Sequence, residues 1–301
     1  MTRTAMVALG ALLAALAPAA DASPAQPATI VYAVSGEAFH SDPGQQRRPI
    51  HLFDRLPVGA VLEAGPGSRV ALAFASGRRW ALGEGARARV TQRELAERVG
   101  PVRLLPPVPP LPPLPALAAR ERPGPRAGAV RIRGEQVAGL YPACGAAALT
   151  GAVVLRFHPA EGASRYRVEV EDERGTTVYS AETVSAELTV PADALRPGAR
   201  YHWTVRTVER PGPVARGEAD FVTLDEAAAR AREELRRAAE GEPGREVTAL
   251  LAGVDGELGL LAEAGVEIRS ALDGAPGDPA LTAALADLDR RCEERTDAKP
   301  R

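Results

Sequence analysis

The chain has 301 residues, of which 45% are hydrophobic and only 4% aromatic, and its formal net charge is −2 at pH 7. That length suits two or three small domains, and the near-neutral charge excludes a strong attraction to nucleic acid or to an anionic membrane. The single lysine, Lys299, stands near the C-terminal end, which argues against a phosphate-binding P-loop and against Schiff-base chemistry.

The N-terminus has the pattern of an export signal. Arg3 precedes an apolar run from Ala5 to about Ala20, and an A-x-A site ends at Ala22. These features are typical of a signal peptide, and the run is shorter than the roughly 20 residues of a membrane span. We therefore predict that residues 1–22 are a signal peptide cleaved after Ala22, with an uncleaved anchor as the alternative. The mature protein is then periplasmic or on the cell surface, with no stable transmembrane segment.

Export also sets the chemistry expected of the two cysteines. Cys144 and Cys292 would lie in an oxidising compartment. They either pair, which would tie the middle of the chain to its C-terminal part, or remain separate thiols.

Residues 30–91 predict a small all-β domain. A β-branched run opens at Ile30, and the inward positions Val70, Leu72 and Phe74 alternate with Arg69, Ala71 and Ala73 in a half-buried strand. The segment from Leu56 to Val90, LPVGAVLEAGPGSRVALAFASGRRWALGEGARARV, resembles the FecR family domain in its order of turns and strands. That resemblance implies an exported recognition or scaffold domain. No cytoplasmic region precedes the apolar segment, which argues against direct regulation of a sigma factor.

Residues 92–128 predict a connection between domains. Gln92–Val99 has the composition of a short helix. The run Leu104–Leu117, LLPPVPPLPPLPAL, favours polyproline II, because proline fixes φ and lacks an N–H group. Fully extended, it would separate two domains by roughly 40 Å. The alternative is a P-x-x-P ligand for an SH3-like partner.

Residues 129–224 predict a β-sandwich. Val130 and Ile132 suggest an entry strand, and alternating strands follow at 153–157, 166–170 and 201–205. In the last of these, one face carries Tyr201, Trp203 and Val205, and the other carries His202, Thr204 and Arg206.

This region resembles a fibronectin type III domain. The family's loop and strand around its tyrosine corner match Leu195, Pro197, Gly198, Tyr201 and Trp203. The resemblance implies that the Tyr201 hydroxyl bonds to upstream backbone. Phe157 stands where the family usually has a tryptophan.

Residues 225–295 predict four helices, with Asp225 as the first N-cap. The spacing of Leu258-Gly259, Glu263-Ala264, Ala271-Leu272 and Pro276 resembles one tetratricopeptide repeat, with Asp255 where an aromatic is usual. Either a small bundle docks on its neighbour, or the helices form a surface for a partner or a second copy.

The sequence predicts no catalytic, cofactor-binding or metal-binding residue. The four histidines, His40, His51, His158 and His202, are scattered without metal-ligand spacing. Glu169 and Glu171 alternate onto the solvent face of a strand, so we expect solvation rather than acid–base chemistry. The pairs Arg47-Arg48 and Arg78-Arg79 are expected in solvated turns, with contact to an anionic glycan or lipid as the alternative.

The fold class expected is therefore multidomain and mainly β, with a helical C-terminus. The function expected is that of an exported, non-enzymatic cell-envelope protein acting as an interaction or scaffold module, with an envelope protein or glycan as partner. The alternatives are a glycan- or peptidoglycan-binding protein and an envelope signalling component related to FecR-type regulators. An unrecognised hydrolase would need a deep cleft with convergent polar groups.

Overall fold

A computed structural model describes residues 29–114, 135–143, 146–149, 151–209, 212–241 and 244–297, without the side chains of 146, 289 and 291–297. The predicted signal peptide and the entry strand at Val130 lie outside the described residues. So do the side chains of Cys144 and Cys292. Export, signal cleavage and the pairing of the two thiols therefore stay predictions.

The first module contains ten short strands in two sheets. They are β1 (Thr29–Ser35), β2 (Ala38–Ser41), β3 (Arg48–Pro49), β4 (Arg55–Leu56), β5 (Val61–Ala64), β6 (Arg69–Phe74), β7 (Arg79–Leu82), β8 (Arg87–Val90), β9 (Leu95–Val99) and β10 (Val102–Leu105). Sheet A has the order β10-β7-β6-β1-β4 and sheet B the order β3-β2-β5-β8-β9. Their facing side chains, including Val31, Leu62, Leu72 and Phe74, form one apolar core.

Strand β6 is buried on both faces rather than half-buried. Val70, Leu72 and Phe74 face the core between the two sheets, as predicted. Ala71 and Ala73, on the opposite face, are also fully buried and belong to a second cluster that contains helical residues. The alternation was right, but the outer face of sheet A is covered by another part of the chain.

The predicted short helix at Gln92–Val99 is wrong. The Thr91 hydroxyl accepts a hydrogen bond from the Glu94 N–H at 3.1 Å and donates one to the Glu94 carbonyl at 2.7 Å. This side-chain turn competes with a helix and reverses the chain, so that β9 pairs with β8 through Val90 and Leu95.

The described part of the proline-rich run is not a free spacer. The Val108 N–H donates to the Gly77 carbonyl and the Leu111 N–H to the Ala75 carbonyl, each at 2.9 Å. Leu111 is buried. We call residues 106–114 the proline strap. It lies against the first module because the non-proline positions keep N–H groups that can bond there.

The middle module is a fibronectin type III-like β-sandwich. Its strands are β11 (Ala146–Ala148), β12 (Val153–Arg156), β13 (Arg165–Asp172), β14 (Thr177–Thr183), β15 (Glu187–Val190), β16 (Arg200–Glu209) and β17 (Arg216–Thr223). One sheet has the order β11-β17-β16-β13-β14, and β12 pairs with β15 in the other. The core contains Leu155, Phe157, Val168 and Trp203.

The predicted tyrosine corner is confirmed. The Tyr201 hydroxyl accepts a hydrogen bond from the Arg196 N–H at 2.6 Å. Tyr201 stacks on Phe221, with ring centroids 5.3 Å apart, and the Trp203 indole N–H donates to the Pro142 carbonyl at 2.8 Å. These two aromatic residues therefore belong to the corner and core of the sandwich.

Four helices follow, as predicted: α1 (Glu226–Glu240), α2 (Arg245–Leu258), α3 (Leu261–Asp273) and α4 (Pro279–Asp297). Asp225 caps α1 by accepting a hydrogen bond from the Ala228 N–H at 2.8 Å. We call α1–α4 the helical layer. Within the described residues, no helix has the length and apolar character needed to cross a membrane. The fold class is thus mainly β, with sandwich sheets and a helical C-terminal part.

Candidate functional site

The helical layer covers the outer face of sheet A and shares a core with both sandwiches. That core draws on the first module, the proline strap, the middle module and the helices, and includes Ile30, Tyr32, Ala71, Ala73, Leu111, Ala147, Leu224, Leu235, Leu250 and Val254. Of the two arrangements expected for the helices, the structure has the bundle docked on its neighbours.

Helix α2 approaches sheet A closely at Gly253. A Cβ atom at this position would lie 2.7 Å from Cδ1 of Phe53 and 2.9 Å from Cδ1 of Ile30. Those distances are shorter than van der Waals contact. Because Gly253 has no side chain, helix α2 can pack this closely against the first module. Sequence patterning alone did not single out Gly253, because its reason lies in a distant part of the chain.

Two buried ion pairs lie in this junction. Arg55 of β4 and Glu257 of α2 are 3.0 Å apart, with 6% and 10% of their side chains exposed. The Arg232 guanidinium in α1 donates one hydrogen bond to each carboxylate oxygen of Asp255 in α2, at 2.6 and 2.7 Å. Burial raises the pKa of the Asp255 carboxyl, against the opposing effect of Arg232. Asp255 therefore belongs to a buried ion pair within the layer, which is a sufficient reason for a carboxylate at this position.

The layer also contacts the middle module through polar groups. The Ala147 N–H in β11 donates to the Gly259 carbonyl at 2.9 Å, and Gly259 ends α2 in the left-handed conformation at φ +85°. The Tyr141 hydroxyl donates to Glu263 of α3 at 3.3 Å. Burial first, and then the Glu263 charge, raise the pKa of Tyr141. Both sandwiches are thus fixed to the same layer.

The acidic residues of β13 lie on a solvent-facing ladder of ion pairs. Arg167 lies 2.6 Å from Glu182, and Arg206 lies 3.9 Å from Glu169. The hydrogen bond from Arg167 lowers the pKa of Glu182. Glu169 therefore faces an arginine across the sheet, on the solvent side of β13.

The histidines remain apart from one another in the structure. The Nδ1 atom of His202 lies 3.0 Å from Asp220 across the sheet, and that of His40 lies 3.2 Å from Asp42. Within the described ranges, no group of three or more His, Cys, Asp or Glu side chains is arranged to hold a metal ion.

Exposed apolar side chains gather at one end of the middle module. One row of cross-strand partners runs over four neighbouring strands: Glu182 in β14, Arg167 in β13, Arg206 in β16 and Arg216 in β17. Val184, Val208 and Val214 each lie two positions from the row residue of their own strand, that is from Glu182, Arg206 and Arg216. Because the strands are antiparallel, all three exposed valines lie at the same end of the sheet. We call this end, with its loops at 157–164, 184–186 and 212–215, the loop end. Helix α1 begins at the opposite end, directly after β17.

A cleft separates sheet A from the start of α2. It encloses about 40 Å³, and its lining includes Tyr32, Arg69, Arg245, Glu246 and Asp278. The ion pair Arg69–Glu246, at 2.8 Å, joins sheet A to α2 across the cleft, and Arg245–Asp278, at 2.9 Å, lies beside it within the helical layer. We call it the Tyr32 cleft. A neighbouring shallow surface depression shares Arg245 and Glu246 and is also lined by Arg79.

Arg79 corrects the expectation of a solvated turn at Arg78-Arg79. Its side chain is buried with only 5% exposure, and its Nε–H donates to the Pro106 carbonyl of the proline strap at 2.7 Å. The sequence placed Arg79 beside a Ser-Gly turn, and only the strap's return over sheet A explains why it is buried.

Comparisons with known proteins leave the family open. No family model and no curated protein matches the chain. Among solved structures, CopC from Methylosinus trichosporium OB3b matches with a TM-score of 0.25 and 20% identity, over 30% of this chain and 94% of that one. Two fibronectin type III domains of chicken tenascin match with a TM-score of 0.24 and 10% identity, over 67% and 95%. Domains d3–d4 of the rat CD45 extracellular region match with a TM-score of 0.23 and 17% identity, over 30% and 50%.

Proposed function

We propose that the chain is an exported, non-enzymatic cell-envelope protein that acts as an interaction or scaffold module. The N-terminal pattern of Arg3, an apolar run and an A-x-A site supports export. The resemblance of segment 56–90 to FecR domains and the fibronectin-like sandwich support a recognition role in the envelope.

The position of the loop end carries this proposal. The helical layer anchors the middle module at the end where β17 leads into α1, and it shares a core with the first module. The loop end therefore projects from the fixed end. Loops on a rigid scaffold are common recognition surfaces, and the valines there are 77%, 46% and 58% exposed.

The chemistry of this end favours a protein partner over a glycan. Val184, Val208 and Val214 offer no hydrogen-bonding groups to sugar hydroxyls, whereas apolar side chains gain free energy when another apolar surface covers them. A partner in the envelope with a complementary apolar patch fits this surface. Peptidoglycan binding remains the second outcome to be distinguished by experiment.

The test compares capture of envelope proteins by the mature chain and by two variants. Val184→Glu combined with Val214→Glu should abolish capture of the specific partner, because two charges would lie in an apolar interface. Val266→Glu is the matched control, since Val266 is 61% exposed on α3, away from the loop end. Equal capture by all three proteins would contradict the proposal. Co-sedimentation with protein-free sacculi would favour the glycan alternative instead.

Export is tested separately by intact mass. The proposal predicts that the mature protein begins at Ser23 and is released with the periplasmic or surface fraction. A full-length chain retained in the membrane fraction would contradict cleavage and favour an uncleaved anchor.

A further inference from the structure

The unpaired cations of the first module gather on one side of it. Between residues 29 and 114 the chain has eleven arginines and seven acidic residues. Most of these arginines form ion pairs, and Arg79 bonds to the proline strap. Among the described residues, four guanidinium groups have neither an ion pair nor a hydrogen bond, those of Arg48, Arg93, Arg98 and Arg103. Three of the four lie on, or directly before, β9 and β10.

The unpaired arginines outnumber the unpaired carboxylates of this module. Within the described part of the chain, the carboxylates without an ion pair are those of Glu37 and Glu84. Both stand in connections between strands, and from Arg98 to Leu114 the sequence contains no acidic residue. The excess of positive charge therefore lies on the side where β9 and β10 meet.

Strands β9 and β10 also form an open side of the first sandwich. β9 is an edge strand of sheet B, β10 is an edge strand of sheet A, and two residues connect them. Val99 is 62% exposed and Leu104 is 52% exposed. We call the surface of Arg98, Val99, Arg103 and Leu104 the β9–β10 edge. It combines unpaired cations with exposed apolar side chains.

The two faces of β10 differ in chemistry. Leu104 is the cross-strand partner of Trp80, which belongs to the core between the sheets, and Arg103 is the partner of Ala81 on the opposite face. The Arg98 guanidinium lies 4.8 Å from the centre of the Trp80 ring, which holds this cation on the Leu104 side of the sheet. On its other side, β10 presents a sheet edge to solvent.

This combination selects the chemistry of a partner. A charged side chain on an edge strand opposes pairing with an uncharged strand, whereas a carboxylate opposite Arg103 removes that obstacle. An apolar residue on the other face covers Leu104, which a glycan or a free anion does not. Because side chains alternate between the two faces along a strand, the complementary segment alternates acidic and apolar residues.

We propose that the β9–β10 edge binds an extended segment of a partner protein in which acidic and apolar residues alternate. The segment lies along the free side of β10, in the mode of strand addition. Its carboxylates pair with Arg103 and its apolar side chains cover Leu104, while Arg93 and Arg98 add attraction for the acidic residues. This surface lies on the first module and the loop end lies on the middle module, so the inference does not depend on the proposed function.

The experiment uses the mature full-length chain with fluorotryptophan in place of its two tryptophans, and a short synthetic peptide of alternating glutamate and leucine. Because Trp80 is the cross-strand partner of Leu104, its ¹⁹F resonance should shift saturably on titration, and that of Trp203 should not. Two further peptides replace every glutamate by glutamine or every leucine by serine. Each should bind at least roughly tenfold more weakly, since each lacks one half of the complementary chemistry.

Two variants and one control locate the binding. Arg103→Gln should weaken binding of the glutamate–leucine peptide roughly tenfold, the effect of losing one charge-assisted hydrogen bond, and Leu104→Ser should weaken it as well. Arg48→Gln is the matched control, because it removes an unpaired, exposed arginine from β3 at the other edge of sheet B. It should leave binding unchanged.

The loop-end variant Val184→Glu with Val214→Glu should bind the peptide normally, so a failure of this inference is distinguishable from a failure of the proposed function. Absence of a saturable Trp80 shift with the peptide would overturn the inference. Equal weakening by Arg48→Gln and Arg103→Gln would overturn it too. A Trp80 shift with phosphatidylglycerol vesicles but not with the peptide would assign the edge to a membrane surface instead.

Discussion

Arg55 and Glu257 form a buried ion pair across 202 positions of the chain, with Nη1 of Arg55 3.0 Å from Oε2 of Glu257. Arg55 belongs to the edge strand β4 of sheet A, and Glu257 to the last turn of α2. The pair therefore joins the first sandwich to the helical layer. Because both side chains are largely removed from water, each charge depends on the other for its stability in the fold.

Glu257→Gln should lower the free energy of unfolding by about 3–5 kcal/mol, because it leaves the Arg55 guanidinium buried with one fewer counter-charge. Urea denaturation measures this loss. The control is Glu182→Gln, which breaks the exposed Arg167–Glu182 pair and should lower the free energy of unfolding far less, because water solvates both partners of an exposed pair when it is broken. Similar losses for the two variants would contradict a buried pair at the junction.

Tyr201→Phe should destabilise the protein by about 1–2 kcal/mol, because the Arg196 N–H loses the acceptor that the buried Tyr201 side chain supplies. The matched comparison is Tyr32→Phe, which removes a buried hydroxyl that makes no hydrogen bond of normal length and interacts only weakly with the Arg79 guanidinium. That variant should lose less stability than Tyr201→Phe. Thermal unfolding compares the two, and a larger loss for Tyr32→Phe than for Tyr201→Phe would contradict the assigned hydrogen bonds.

Alkaline pH should destabilise the fold through Tyr32. Burial raises the pKa of Tyr32 from 10.0 to about 12, so the folded state disfavours the phenolate. The folded state's preference for neutral Tyr32 contributes its full stabilisation below pH 10, and this contribution is lost as the pH rises through 12. Between pH 9 and 11 the loss should be roughly 1 kcal/mol, since each pKa unit corresponds to about 1.36 kcal/mol.

The Tyr32→Phe variant isolates this effect. Tyr141 also has a raised pKa and contributes to alkaline destabilisation in both proteins. The difference between the two urea denaturation series therefore reports Tyr32 alone. If the free energy of unfolding falls equally in the unmodified chain and in Tyr32→Phe between pH 9 and 11, the pKa of Tyr32 is not raised by folding.

Gly77→Ala should detach the proline strap. A Cβ atom there would lie 2.0 Å from the Val108 carbonyl oxygen, and φ at Gly77 is +81°. The control is Gly67→Ala, at φ +66° with nothing within 4 Å, which adds the backbone strain without the collision. We expect Gly77→Ala to lower the free energy of unfolding by about 2 kcal/mol more than Gly67→Ala does. This is roughly the value of burying one leucine side chain, here Leu111 of the proline strap.

Hydrogen exchange locates that effect. The Val108 and Leu111 amides should exchange faster in Gly77→Ala than in Gly67→Ala, because both donate to backbone carbonyls beside Gly77. Unchanged protection of these two amides would mean that the strap is held elsewhere.

The sequence predicted best what depends on local alternation. Val70, Leu72 and Phe74, and likewise Tyr201, Trp203 and Val205, point inward as their period of two requires. Ala71 and Ala73 did not reveal that a helix covers them, because alanine is compatible with either a buried or an exposed face. The turn at Thr91 was missed because its side-chain hydrogen bonds overrode a helical composition.

The junction could not be predicted because its partners are distant in the chain. Asp255 alone indicated only a departure from a repeat pattern, and its partner Arg232 lies on a different helix. Tyr32 belongs to a run of β-branched residues whose bulge depends on pairing with β6. Periodicity reports which face is apolar, but it does not report which distant element covers that face.

The central claim is that one helical layer unites both sandwiches in a shared core. The chain has two tryptophans, Trp80 in the first module and Trp203 in the middle module, so fluorotryptophan labelling gives one ¹⁹F resonance for each. During urea denaturation of the mature chain, both native resonances should disappear at the same midpoint, and Glu257→Gln should lower the two midpoints equally. Separate midpoints for Trp80 and Trp203, or a shift of the Trp80 midpoint alone, would contradict the claim.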